Sequence, residues 1–155
     1  SYPTAIRAMK KIREKHKNVR WYVLGEGPER KKLEHLIASL GLQKDFILSG
    51  SVENPYPYYK SADIYVHATG FEGKSIAIQE AQTLGLPIIA SESNREQIKD
   101  GVDGILCRLE PESVCEAVCE MMENEKLRNR YREASLQKNV VYEKDMELFT
   151  GLLSD

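Results

Sequence analysis

The run HATGFEGKSIAIQEAQTLGLPIIA (residues 67–90) decides how the rest of this chain is read. It opens on a glycine-bearing loop, His67 to Gly73, and passes into ten residues free of glycine and proline, Ser75 to Leu84. Gly85 ends that stretch, and Pro87-Ile88-Ile89-Ala90 follows as a wholly apolar run. Serine suits the cap of a helix start, and glycine suits the residue just past a helix end. A short apolar run bounded by such signals reads as a strand covered on both faces, as in a parallel sheet. Loop, helix, stop and buried strand together predict one turn of an alternating α/β fold.

The same alternation runs outward in both directions. Upstream lie a helix opening near Pro3, with Ala5, Ile6, Met9 and Ile12 on one face, and a β-rich run from Val19 to Leu24 stopped by Gly25-Glu26-Gly27-Pro28. A second helix carries Leu33, Leu36, Ile37 and Leu40 and stops at Gly41. Phe46 to Leu48 is a strand ended by Ser49-Gly50-Ser51, Tyr56 to Ser61 a short helix, and Ala62 to His67 another strand. Downstream, Glu96 to Asp100 reads as a helical turn and Gly104 to Cys107 as a last strand. Helices follow over Pro111 to Glu123 and Glu125 to Lys138. The predicted class is α/β, a Rossmann-like parallel sheet flanked by helices. Such a sheet normally opens on a strand, and right-handed βαβ connections predict one before Ser1. Residues 1–140 are expected to form the Rossmann-like domain and 141–155 a C-terminal helical segment.

Composition narrows the partners. The 155 residues are 41% hydrophobic and 30% charged, with 22 basic and 24 acidic side chains and a net charge of −2. That excludes a disordered or collagenous chain and lacks the basic excess of a nucleic-acid binder. No apolar run reaches the roughly 18 residues a membrane span needs. A cytoplasmic setting is therefore expected. The basic residues Lys10, Lys11, Arg13, Lys15 and Lys17 read as a solvated helix face with scope for attraction to the inner face of a membrane. Cys107, Cys115 and Cys119 are too few for a disulfide framework. With no histidine at ligand spacing nearby in sequence, they read as small buried thiols.

In open parallel sheets ligands bind outside the C-terminal ends of the strands. Three polar, glycine-bearing loops fall there: Gly25-Glu26-Gly27, Gly50-Ser51 and His67 to Gly73. The third leads into a helix whose first amides and dipole attract phosphate, with Lys74 beside them. Gly73 lets backbone approach a ligand closely. Five residues from Ser75 to Glu80 span roughly 7.5 Å of helix. Glu72 and Glu80 are thus spaced to reach a sugar and a ribose of one ligand, since carboxylates accept hydrogen bonds from vicinal hydroxyls. The plainer readings stand beside this one: Glu72 as a charge at a helix start, Glu80 as an exposed helix residue. His67 is open between a structural histidine and a ligand contact. His16 and His35 read as solvated.

Glu72 and Glu80, set in FEGKSIAIQEA and followed by LGLPIIA, resemble the signature of the family 4 retaining glycosyltransferases, which have the GT-B fold. The runs WYVLGEGP (21–28), ILSGSV (47–52), YYKSADIYV (58–66) and DGVDGIL (100–106) resemble the neighbouring segments in order and spacing. The EGKSIA form is most similar to bacterial enzymes of surface-polysaccharide synthesis. The resemblance implies a C-terminal donor-binding domain and transfer of a sugar, with retention, from a nucleotide diphosphate sugar to an acceptor hydroxyl. It favours a UDP-sugar and requires no metal or other cofactor.

Position by position, the resemblance implies that Glu72 contacts the donor sugar as the catalytic residue and that Glu80 binds the ribose. Backbone at Gly73, Lys74, Ser75 and Ile76 would meet sugar and diphosphate. Gly50, Ser51 and Val52 would lie beside the base, with Gly25, Glu26 and His67 bordering the cleft. The family's diphosphate-gripping Arg and Lys would fall before Ser1, as would an N-terminal acceptor domain, and the final segment would cross to that domain. Residues 1–155 alone are accordingly expected not to transfer sugar. A sugar-nucleotide epimerase of the same fold and a non-catalytic nucleotide-binding module are the alternatives.

Overall fold

A computed structural model of the chain describes residues 1–70 and 74–138. The expected segment 141–155, together with Glu72 and Gly73, lies outside the described residues. Helix α1 (Tyr2–Lys15) leads to β1 (Trp21–Leu24), α2 (Arg30–Ser39), β2 (Phe46–Gly50), α3 (Tyr56–Ser61) and β3 (Tyr65–His67). Then come α4 (Ile76–Thr83), β4 (Ile88–Ser91), a 3₁₀ turn at Glu92–Asn94, β5 (Ile105–Cys107) and α5 (Pro111–Glu123). A further helix, α6, runs over residues 125–138.

Every pairing among these five strands is parallel. β1 pairs with β2, and β3-β4-β5 form a second sheet with β4 in the middle. The central strand shows why an unbroken apolar run was needed. All four of its residues are buried. Strand alternation turns Ile89 toward a core shared with α1, α2 and α5, while Ile88 and Ala90 join Ile78 and Ala81 of α4 on the other face. Helices therefore cover both faces of that sheet, as a parallel sheet requires.

Helix α1 ties the two sheets together. Ala5, Ile6, Ala8, Met9 and Ile12 are buried along one stripe, facing the buried stripe of α5 that runs from Val114 to Met121. The same cluster takes in Val23 and Phe46 of the first sheet, and Trp21 packs on Phe46 at 5.5 Å between ring centroids. Full burial of Ile6, Met9 and Ile12 contributes about 1.5–3 kcal/mol each. Helix α1 begins where β3 ends, since the amino group of Ser1 donates to the carbonyl of Ala68. It ends at the edge where β1 begins. The C-terminal ends of β1 and β3 therefore look toward the same edge of the molecule.

The glycine stops behave as expected. Gly41 and Gly85 follow α2 and α4 at φ +69° and +71°, and the next amides, of Leu42 and Leu86, bond back to Ile37 and Ala81 at 2.9 and 3.0 Å. Three boundaries differ from the sequence reading. Ala62 caps α3, its amide donating to Tyr59, so β3 starts only at Tyr65. β1 starts at Trp21, where the amide first meets Asp45. The helical turn falls at Glu92–Asn94 rather than 96–100, because the Arg95 amide closes it on the Glu92 carbonyl and Gln97 and Ile98 then bond back to Asn94 instead of starting a new turn. Among the described residues no helix is long and apolar enough to cross a membrane.

Candidate functional site at the strand ends

The first two loops meet directly. Gly25 (φ +114°) follows β1, and its amide donates to the Gly50 carbonyl at 2.8 Å. Gly50 sits at φ +73°, and a Cβ there would come within 2.6 Å of Glu26 Oε1. The glycine is thus required twice, by its left-handed backbone and by the carboxylate lying over it. Arg30 sets the position of Glu26. Its guanidinium bonds Glu26 at 2.9 Å, Glu34 at 2.9 Å and the Leu48 carbonyl at 3.0 Å. Ser51 is exposed and Val52 half-buried just beyond.

The third loop leads to the start of α4. Ser75 is the N-cap, its Oγ accepting from the Ile78 amide at 3.3 Å. The amides of Ile76 and Ala77 have no acceptor within the helix, as geometry dictates for a first turn. Lys74 is exposed, and Ile76 is 72% exposed. The Ser75 amide itself donates to Gln97 Oε1 at 2.6 Å, while Gln97 Nε2 donates back to the Ser75 carbonyl at 3.0 Å. Gln97 is buried, and its own carbonyl receives Lys138, which pairs with Asp103 at 2.7 Å. Earlier in the loop, the Thr69 carbonyl accepts from Ser91 and Ser93, anchoring it to the end of β4.

Between these loops lies a cluster that spans three elements. Tyr65 and His67 share one face of β3 by strand periodicity, stack at 5.9 Å and join Tyr65 Oη to His67 Nδ1 at 3.0 Å. Tyr59 of α3 lies 5.8 Å from the Tyr65 ring and donates to Glu80 at 3.5 Å, at the outer limit of a hydrogen bond. Burial raises the Tyr65 phenol, with Tyr59, Tyr2 and Glu80 pushing the same way. The Tyr59 phenol is raised by burial and then by Glu80. Burial holds His67 below the usual histidine value, so the ring is neutral at pH 7. Glu80 is exposed on the outer side of this cluster.

The edge therefore offers amides and a lysine for an anion, and a carboxylate for hydroxyls about one and a half turns along the same helix. A neutral Tyr–His surface lies beside that carboxylate. Arg30, Tyr59, Tyr65 and Gln97 are not among the site residues that the sequence singles out. Only Tyr65 left a signal there, by standing two residues before His67. Two other readings change. His16 is half-buried and bonds Glu123 at 2.8 Å rather than being solvated. Arg13 of the basic face is drawn onto Asp45 at 3.0 Å, both side chains half-buried or less exposed.

A two-sided parallel α/β domain with its polar loops gathered at the strand ends defines a nucleotide-binding class of architecture. Comparison with known proteins makes the assignment specific. The family described as Glycosyl transferases group 1 matches residues 2–138, and the chain belongs to that family. An uncharacterized glycosyltransferase of Methanocaldococcus jannaschii is 34% identical over 102 residues, 66% of this chain and 24% of the relative. A Campylobacter jejuni N-acetylgalactosamine-N,N'-diacetylbacillosaminyl-diphospho-undecaprenol 4-alpha-N-acetylgalactosaminyltransferase is 28% identical over 126 residues, 79% of this chain and 34% of the relative. The chain thus spans about a quarter to a third of these relatives. Among solved structures, Anabaena HepE in complex with UDP and glucose superimposes with a TM-score of 0.83 at 18% identity, covering 98% of this chain and 44% of that one. Such neighbours are glycosyltransferases of the GT-B type, which fixes the fold.

Proposed function

We propose that this chain is the donor-binding domain of a family 4 retaining glycosyltransferase, working in bacterial surface-polysaccharide or glycoconjugate synthesis. The observation that carries the reading is the start of α4. Its cap is locked by Ser75 and by Gln97, and Glu80 stands exposed on the same helix. A nucleotide diphosphate sugar, UDP-linked by preference, lies across the strand ends. Its diphosphate meets the backbone at Gly73, Lys74, Ser75 and Ile76; the Ser75 amide donates to Gln97, so the first free amides of the helix, from Ile76 on, carry the anion. Glu80 takes the ribose, and Gly50, Ser51 and Val52 lie beside the base. Glu72 holds the donor sugar as the catalytic carboxylate. Gly25, Glu26 and His67 border the cleft.

No metal is needed at the diphosphate in this scheme. Pre-aligned amides and basic side chains stabilise the charge that develops on the leaving group. Transfer requires an acceptor-binding domain N-terminal to this one in the same polypeptide, and residues 1–155 by themselves do not turn over. The short share of each relative that the chain spans supports this. So does the sheet: β1 and β3 each keep an unpaired edge among the described residues, and one parallel strand entering α1 would complete a right-handed crossover. The protein acts in the cytoplasm, and the basic residues Lys10, Lys11 and Lys15 of α1, with Lys17 just past its end, support contact with the inner face of a membrane.

Calorimetric titration of the full-length protein with UDP, GDP and ADP tests the proposal. UDP is expected to bind most tightly at one site. A folded protein that binds none of the three overturns it.

A further inference from the structure

On the face of the molecule formed by the end of α1 and the middle of α5, side chains distant in sequence converge. His16, Cys119 and Glu123 each bring a ligand atom within 4.8 Å of the other two. Cys115, one turn before Cys119, places its Sγ 4.0 Å from the Cys119 Sγ. Positions 115, 119 and 123 are spaced at i, i+4 and i+8, which puts all three on one side of a helix. His16 is the C-cap of α1, where the chain leaves the helix in an extended conformation (φ −131°, ψ 122°).

We propose that His16, Cys119 and Glu123 form a three-ligand zinc site whose fourth position is open to water, and that the bound ion clamps α1 to α5. Imidazole and thiolate are the groups that select zinc over magnesium or calcium, and a carboxylate is a fitting third ligand. Zinc–sulfur and zinc–nitrogen bonds of about 2.3 and 2.0 Å put neighbouring ligand atoms on one tetrahedral ion about 3.3–3.8 Å apart. His16 Nε2 and Glu123 Oε1, now hydrogen-bonded at 2.8 Å, need to part by roughly half an ångström to admit the ion, at the spacing those bond lengths set. Entry is open from solvent, because the Glu123 side chain is 58% exposed while both thiols are buried. The ion binds by displacing the Cys119 thiol proton to solvent as the Zn–S bond forms. The site lies on the α1–α5 face and uses no residue of the strand-end loops.

The experiment is titration of the purified protein with Zn²⁺ against a chromophoric chelator, alongside Co²⁺ as a spectroscopic probe. One ion per chain is expected, with thiolate-to-cobalt charge-transfer absorption. Cys119→Ser should abolish that absorption and weaken zinc binding at least tenfold. Glu123→Gln, an exposed position that cannot disturb the core, should weaken it several-fold, and Cys107→Ser should leave it unchanged. Zinc should also raise the melting temperature of the parent protein but not of Cys119→Ser. Zinc binding that is absent, or equal in the parent, Cys119→Ser and Glu123→Gln proteins, overturns the proposal. If Cys119→Ser does not fold, Glu123→Gln and the cobalt spectrum decide alone.

Discussion

Gln97→Met isolates the clamp on the start of α4. Methionine keeps the length and volume of glutamine in a buried position but can neither accept from the Ser75 amide nor donate to its carbonyl. The parent makes both bonds, at 2.6 and 3.0 Å. At about 0.5–1.5 kcal/mol per net hydrogen bond, their loss costs about 1–3 kcal/mol. Ser75 is half-buried, so water reaches part of the freed backbone and the middle of that range, about 2 kcal/mol, is the expected value. For a domain of this length that corresponds to a fall in melting temperature of about 4–8 °C. Urea unfolding should show a lower midpoint with an unchanged slope. Binding of UDP should weaken as well, since the first turn of α4 loses its alignment. A variant within 0.5 kcal/mol of the parent (about the spread for an ordinary surface change) would refute the claim that Gln97 holds this helix start.

Three further outcomes follow from the site. Gly50→Ala places a methyl on a left-handed residue and into the space of the Glu26 carboxylate. Such backbone strain costs about 1–2 kcal/mol, and chemical denaturation should read a loss of at least that size. The depressed pKa of His67 makes stability pH-dependent. The unfolded ring binds a proton near pH 6.5 and the folded ring only at lower pH. Stability is therefore full above about pH 6.5 and falls as pH drops toward the folded pKa; unfolding midpoints of parent and His67→Gln across pH 5–7.5 should fall more steeply toward acid in the parent. Ser75→Ala removes the cap to Ile78 and should cost about 1 kcal/mol, measured in the same unfolding assay.

Much of this was readable from one dimension because it rests on local chemistry. The apolar run Pro87 to Ala90 announced a strand buried on both faces, and Gly41 and Gly85 announced helix ends, since only a residue without Cβ adopts their backbone cheaply. Ser75 announced its cap for the same kind of reason. What escaped was long-range. Gln97 reaches back 22 residues to Ser75, His16 crosses 107 positions to Glu123, and Arg13 meets Asp45. Periodicity says which face of an element is polar but not which distant partner that face meets. The start of β3 was misplaced because Ala62 and Ile64 have strand-like neighbours, while the actual limit is a backbone bond closing α3.

The central claim is that a nucleotide lies along α4 with its ribose on Glu80. Isothermal titration of UDP into the parent and Glu80→Ala proteins tests it most directly. Glu80 is exposed and, among the described residues, its one side-chain hydrogen bond, to Tyr59, is long, so the variant should fold as the parent does. Loss of charge-assisted hydrogen bonds should weaken UDP by roughly 1–3 kcal/mol, or roughly 5- to 150-fold in Kd. Equal affinity in the two folded proteins would contradict the account.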